Sequence, residues 1–214
     1  MAYRVLLVDD HAVVREGVRR LLEDCRDIQI IGEAGDGDEA IRMARALMPD
    51  VAVIDLSMPG RDGIEVTRML ASELPKIRVL ILTMHANDDY ALRLLQAGAC
   101  GFVGKGVTSS ELLAAVLKVA GGGSYLQPAL LEKLPQQIAN GVLHASPVGS
   151  LSDRELQVLK LLAEGRTGRE IGAFLHLSVK TVDTYRARLL AKLRLQTTSD
   201  LIRFALRHGV IENV

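Results

Sequence analysis

Short apolar runs alternate with amphipathic stretches over the first 122 residues. The runs are Val5–Val8, Ile28–Ile31, Val51–Ile54, Val79–Leu82 and Phe102–Val103. They read as continuous Val, Ile and Leu, the pattern of strands buried on both faces. Between them apolar residues recur with helical spacing over about 12–23, 37–47, 63–73, 88–97 and 109–120. Five strands separated by helices predict βαβ crossovers and a five-stranded, doubly wound parallel sheet. Thr108-Ser-Ser-Glu111 fits a capping box, in which hydroxyl and carboxylate satisfy backbone N–H groups at the helix start.

The pattern then breaks. The region 121–150 carries "GGGS" at its start with Pro128, Pro135 and Pro147, and residues 123–149 read as a linker. A short helix over Leu130–Ile138, interrupted or ended near Pro135, is expected within it. From residue 150 onward the periodicity is helical throughout. Ser152-Asp-Arg-Glu155 and Thr167-Gly-Arg-Glu170 fit capping boxes; Ser178, and Thr197 or Thr198, fit N-caps. Four helices are predicted, at roughly 153–164, 168–174, 179–193 and 199–207. The expected organisation is an α/β domain over 1–122, a linker over 123–149 and an all-α domain over 150–214.

Charge sharpens this division. Residues 1–122 hold 14 basic and 18 acidic side chains, whereas residues 151–214 hold 11 and 7. An acidic module is joined to a basic one, although the net charge is zero. Aromatics make up 3% of the chain and Trp is absent, which argues against nucleic-acid binding by base stacking. Two cysteines, Cys25 and Cys100, have neither metal-type spacing nor disulfide density. No secretory signal pattern or membrane-length apolar run is evident, so a cytoplasmic location away from membranes is expected.

In an open parallel sheet, sites form beyond the carboxyl ends of the strands. Asp9 and Asp10 follow the first run, Asp55 ends the third, Thr83 follows the fourth and Lys105 the fifth. Each acid alone reads as an ordinary loop cap. Three together repel unless a cation joins them. Mg²⁺ binds through one or two carboxylates, waters and phosphate oxygens. A carboxylate beside it can attack phosphorus, with a hydroxyl and an ammonium on the phosphoryl oxygens.

The segments "VLLVDDH", "VIDLSMPGRDGIE", "LTMH", "QAGACGFVGK" and "TSSELLAAV" resemble receiver domains of two-component response regulators over about 1–122. The resemblance implies that Asp55 is the phosphoacceptor. It implies Asp10, Asp55 and the Ser57 carbonyl as direct Mg²⁺ ligands, with Asp9 acting through a metal-bound water. Thr83 and Lys105 become the phosphoryl-sensing pair. Phe102 stands at the position of an aromatic switch residue; ordinary strand packing explains it equally well. Pro59, Gly60 and Gly63 fit the tight loop after the acceptor. Gly106 and Met84 depart from the usual pattern, and the bulk of Met84 is expected to slow water attack on the phosphorylated state.

The stretch "SVKTVDTYRARLLAKLR" joins an apolar stripe to five cations. It follows the short helix "GREIGAFLH" and a turn at Leu177–Ser178. This order is that of a helix-turn-helix, whose second helix enters the major groove. Residues 151–193 are similar to LuxR-type DNA-binding domains, and the whole chain resembles a response regulator of the NarL/FixJ class. Lys180, Thr181, Thr184 and Arg188 are the candidates for the DNA-facing side, while Arg186 and Lys192 reach phosphates or solvent. Asp183 departs from the family pattern: it reads a cytosine amino group, orients a nearby Arg, or limits nonspecific affinity. The last helix either supplies a dimer contact or closes the domain core.

The expected function is therefore that of a transcription factor, not an enzyme beyond slow self-dephosphorylation. It is switched at Asp55 by a sensor histidine kinase with Mg²⁺, and binds promoter double-stranded DNA as a homodimer. A Mg²⁺-dependent phosphotransfer enzyme is the main rival. The absence of a cap insertion, and an otherwise unexplained basic helical module, speak against it. A receiver working without phosphate is disfavoured by the intact set Asp10, Asp55, Thr83 and Lys105.

Overall fold

The computed structural model of the chain describes residues 2–83, 88–126 and 147–211; side chains are described for all of these but 88–90. It divides into two compact units, Met1–Leu131 and Glu132–Val214. The expected helix within 130–138, and Met84, lie outside the described residues.

The first unit alternates strands and helices in chain order: β1 (Tyr3–Val8), α1 (Ala12–Glu23), β2 (Ile28–Ala34), α2 (Gly37–Leu47), β3 (Val51–Asp55), α3 (Gly63–Glu73), β4 (Arg78–Thr83), α4 (Asp88–Ala97), β5 (Gly101–Gly104) and α5 (Ser109–Ala120). The strands form one parallel sheet in the order β2-β1-β3-β4-β5. One face buries Val5, Leu7, Val51, Val53, Leu80, Leu82 and Val103 against Leu22 of α1 and Leu112, Val116 and Val119 of α5. The alternate residues Leu6, Val8, Ala52, Ile54, Ile81 and Phe102 point the other way and are also buried. The crossover helices thus cover both faces, as continuous apolar strands require.

Strand β2 departs from that expectation. It pairs only with β1, and only Ile28 and Ala34 at its ends are buried. As an edge strand it keeps polar groups, and Glu33 uses its position to pair with Arg15 of α1. Helices α2 and α3 start at Asp36 and Asp62, whose carboxylates accept the N–H of Glu39 and Glu65. The Thr108–Glu111 capping box forms as expected.

The chain after α5 does not leave the sheet at once. Tyr125 makes a parallel bridge with Gly101: its carbonyl accepts the Phe102 N–H at 3.2 Å, and its own N–H donates to the Cys100 carbonyl at 3.1 Å. Glycine is required there, because a Cβ on Gly101 would stand 2.5 Å from the Tyr125 carbonyl oxygen. Residues 123–126, read from the sequence as linker, therefore hold to the β5 edge.

In the second unit α6 (Asp153–Ala163), α7 (Gly168–Leu175), α8 (Val179–Leu193) and α9 (Thr198–Arg207) enclose Leu156, Leu159, Ile171, Leu175, Val182, Leu189, Leu201 and Ala205. Capping boxes form at Ser152, Thr167 and Thr197, and Ser178 caps α8. Thr197, rather than Thr198, is the α9 cap; its hydroxyl and Arg203 hold the Asp200 carboxyl down at about 2. Between α7 and α8 the chain turns through His176 in the left-handed region, φ +55°. The turn lies so close to α7 that a Cβ on Gly172 would meet the Leu177 carbonyl oxygen at 2.7 Å. Core closure takes Leu201 and Ala205 of α9 and leaves Ile202, Phe204 and Leu206 half-buried.

Candidate functional site

The strand order reverses between β1 and β3, so the crevice at their carboxyl ends is where a parallel sheet presents a site. Asp9 follows β1, Asp55 ends β3, Thr83 ends β4 and Lys105 follows β5. Lys105 Nζ lies 2.7 Å from Asp9 Oδ2 and 3.0 Å from Asp55 Oδ2. Both acids are 3% exposed and Thr83 is 1% exposed. The Thr83 carbonyl also accepts the Lys105 N–H at 2.8 Å, tying the ends of β4 and β5 together.

The sequence presents three repelling acids that call for a cation. The fold supplies part of that charge itself, because the Lys105 ammonium bridges two of them. Burial pushes the Asp55 carboxyl up; Lys105 and the Ser57 backbone N–H pull it back only in part, and Asp9 pushes further. Burial works against the Lys105 charge, but the hydrogen bond to Asp9 and the Asp55 charge outweigh it and raise the ammonium above its ordinary value.

The paired acids differ. Asp9 Oδ1 accepts the His11 N–H at 2.8 Å, and the Asp9 carbonyl accepts from the Arg15 guanidinium, which is anchored on Glu33 at 3.1 Å. Asp10 Oδ1 is buried and accepts no hydrogen bond. One donor atom from each of Asp9, Asp10, His11 and Asp55 lies within 4.8 Å of the others. Three convergent carboxylates, one with a buried oxygen that accepts no hydrogen bond and has only the His11 imidazole 2.9 Å away, fit a hard divalent cation bound through oxygen.

Arg15, Glu33 and His11 escaped the sequence reading. Their signal was positional: His11 and Arg15 flank the start of α1 after the acids, and Glu33 sits near the carboxyl end of β2. Gly60 adopts φ +70°, as a tight loop after Asp55 requires. Gly63 serves another purpose. A Cβ there would meet the Asp55 carbonyl oxygen at 2.5 Å and Leu56 Cα at 2.9 Å, so only glycine lets α3 start against the backbone of Asp55. Phe102 is buried on β5, three residues before Lys105, a placement compatible with switch and packing roles alike.

On α8, Lys180, Asp183, Thr184 and Arg188 form one exposed row at helical spacing. Thr181 is half-buried and turned to the cap, its hydroxyl 2.8 Å from Ser178 Oγ. Arg186 is exposed and pairs with Asp183 at 3.0 Å. Lys192 faces the domain rather than solvent alone: its Nζ lies 2.9 Å from Glu155 Oε2, at the α6 capping box. Burial opposes the Glu155 charge, but the Ser152 N–H and Lys192 hold its carboxyl below the usual range.

Residues 5–117 match the response regulator receiver domain, and residues 149–205 match the bacterial regulatory proteins of the luxR family. The response regulator GacA of Pseudomonas aeruginosa is 38% identical over 98% of each chain. A putative transcriptional regulator of the same organism is 43% identical over 97% of this chain and 99% of its own. Among solved structures, RcsB from Salmonella enterica serovar Typhimurium, bound to promoter rprA with the phosphomimetic BeF3−, is 28% identical. It covers 95% of this chain and 98% of its own, with a TM-score of 0.66. No helix among the described residues is long and apolar enough to cross a membrane.

Proposed function

This chain belongs to the response regulators that join a receiver domain to a LuxR-type DNA-binding domain, and from that premise we propose that its transcriptional output is switched by phosphorylation of Asp55. The observation that carries the assignment is the position of Asp55. It ends a buried strand at the switch point, its carboxylate held 3.0 Å from Lys105. Burial, with Asp9 beside it, disfavours the charge on Asp55, which a cation at the rim would relieve.

Asp10, Asp55 and the Ser57 carbonyl would hold Mg²⁺, with Asp9 acting on it indirectly; bound there, Mg²⁺ would supply charge neutralisation for the phosphoryl oxygens and the acids. An Asp55 oxygen attacks the phosphorus of a phosphohistidine on a sensor kinase, whose P–N bond breaks as the imidazole takes up a proton, or of a small acyl phosphate, whose P–O bond breaks as the carboxylate leaves. Lys105 then exchanges its contact with the Asp55 carboxylate for a phosphoryl oxygen, and Thr83 donates its hydroxyl to another. Both sit at the ends of neighbouring strands, so their movement is carried by β4 and β5, with Phe102 on the latter. Hydrolysis back to the carboxylate is slow, and no other turnover is assigned to the chain.

The receiver spans 1–122 and the DNA-binding domain 150–214; of the linker 123–149, residues 123–126 run along the β5 edge of the receiver. Lys180, Thr184 and Arg188 face the major groove of promoter double-stranded DNA. Asp183 draws Arg186 along the helix and limits its reach to the phosphates, while Thr181 and Lys192 act at the ends of the helix by holding it in place. The protein works in the cytoplasm and binds as a homodimer on two half-sites about one helical turn apart.

Wild type and Asp55→Asn, incubated with Mg²⁺ and acetyl phosphate, test the reading. Intact-mass measurement should show one added phosphoryl group on wild type and none on the variant, with a phosphorylation-dependent gain in binding to genomic DNA fragments. No uptake by wild type would sink the assignment.

A further inference from the structure

His11 is the one member of the clustered metal-type donors that the proposed switch leaves without a task. Its backbone N–H is committed to Asp9 Oδ1. Its imidazole Nδ1 lies 2.9 Å from Asp10 Oδ1 and 3.6 Å from Asp9 Oδ1. A hydrogen bond would be the ordinary explanation of the shorter distance. Asp10 Oδ1 nevertheless receives none, so the ring and the carboxylate stand close without being aimed at each other.

Two donors bound at about 2.1 Å to one ion, at right angles, are about 3.0 Å apart. The Nδ1 to Oδ1 spacing is that of neighbouring ligands on a common ion. The wider span of 4.8 Å over all four residues is close to the width of one coordination shell. Carboxylates and waters suit Mg²⁺, whereas an imidazole suits the later first-row ions, iron to zinc. The His11 side chain is 66% exposed and can approach or leave the site without disturbing the core.

We propose that His11 Nδ1 is a side-chain ligand for a first-row transition ion at this rim, joining the carboxylates that would hold Mg²⁺ through oxygen alone. The inference rests on the rim being a metal site. It makes one exposed residue responsible for discriminating between the two kinds of ion, while Asp10 and Asp55 serve both.

Cu²⁺, one equivalent, is the probe, with the full chain as wild type, His11→Ala and Asp10→Ala. EPR of bound Cu²⁺ should show coupling to a directly coordinated nitrogen in wild type and none in His11→Ala. Titration calorimetry should show Cu²⁺ binding weakened at least about tenfold by His11→Ala, with Mg²⁺ binding changed by less than about twofold. If Cu²⁺ binds and Asp10→Ala abolishes it, but no nitrogen coupling is seen, the inference falls and the metal site stands. If His11→Ala weakens both ions equally, His11 only shapes the loop and the inference again falls. If Asp10→Ala leaves Cu²⁺ binding intact, the metal site itself fails and takes the inference with it.

Discussion

Lys105 lies within 3.0 Å of two carboxylates that are each 3% exposed, whereas Lys180 and Arg188 on α8 are exposed. The two regions are both charged and both chemically active, yet they use charge differently. At the receiver rim the groups sit where the effective dielectric is low, so each feels every change in the others. One added phosphoryl group can therefore redirect Lys105 and Thr83 together. On α8 the charges are screened by water and salt, and their contributions add nearly independently. That suits a surface that accumulates phosphate contacts one at a time. A switch needs coupling; a binding face needs sums.

The largest effect expected from breaking this contrast is at Lys105. Lys105→Ala leaves Asp9 and Asp55 buried without their shared ammonium, and should destabilise the receiver by about 3 kcal/mol. Mg²⁺ should restore most of it, so the variant's melting temperature should depend far more steeply on Mg²⁺ than that of wild type. The corresponding change on α8, Lys180→Ala, should stay within about 0.5 kcal/mol. Equal losses at the two lysines would erase the distinction between the regions. The rim also sets a pH dependence. The folded carboxyl of Asp55 lies above its ordinary 3.8, so the native state holds that proton more tightly and stability falls as pH rises through the raised value. Asp55→Asn removes this penalty. It should melt higher than wild type at neutral pH, with the advantage fading as pH drops through the raised value and gone below 3.8, as thermal scans across pH would show.

Next in size is steric. Gly63→Ala drives a Cβ into the backbone of Asp55 and Leu56, which cannot yield as a side chain would. A loss of about 1–3 kcal/mol is expected, along with reduced phosphoryl uptake, because the acceptor itself is displaced. Gly172→Ala makes a similar clash at the α7–α8 turn. It should cost the helical unit a comparable amount while leaving phosphorylation alone. Thermal melts paired with intact-mass phosphorylation assays separate the two. Glu155→Ala comes below these: it removes a capping box and the Lys192 partner, for about 1–2 kcal/mol.

How much of this the chain declared in advance follows from the range of the signals involved. Helices α1, α2, α3, α4, α5 and α8 fall on the predicted residues, because apolar spacing and capping residues are local. The rim was legible too, since parallel topology brings the strand ends together and the acids sit where the apolar runs stop. What stayed hidden depended on partners distant in sequence. Nothing near Lys192 announces Glu155, 37 residues away, and nothing near Gly101 announces the Tyr125 backbone. Likewise, a reading that counts charges cannot foresee that one ammonium serves two acids.

The smallest expected effect tests the exposed region most directly. Asp183 pairs with Arg186 at 3.0 Å, both half in solvent, so Asp183→Ala should change stability by only a few tenths of a kcal/mol. Its effect on DNA binding is diagnostic. Paired with Asp183, Arg186 has part of its charge compensated and its guanidinium held along the helix. Freed, it can take a phosphate. Binding should then tighten on specific and nonspecific fragments alike, and the slope of log affinity against log salt should steepen by about one. If the substitution instead lowers preference at a single operator position and leaves the salt slope unchanged, Asp183 reads a base. The carboxylate would then belong to the recognition surface, and α8 would no longer be a face whose charges act one by one.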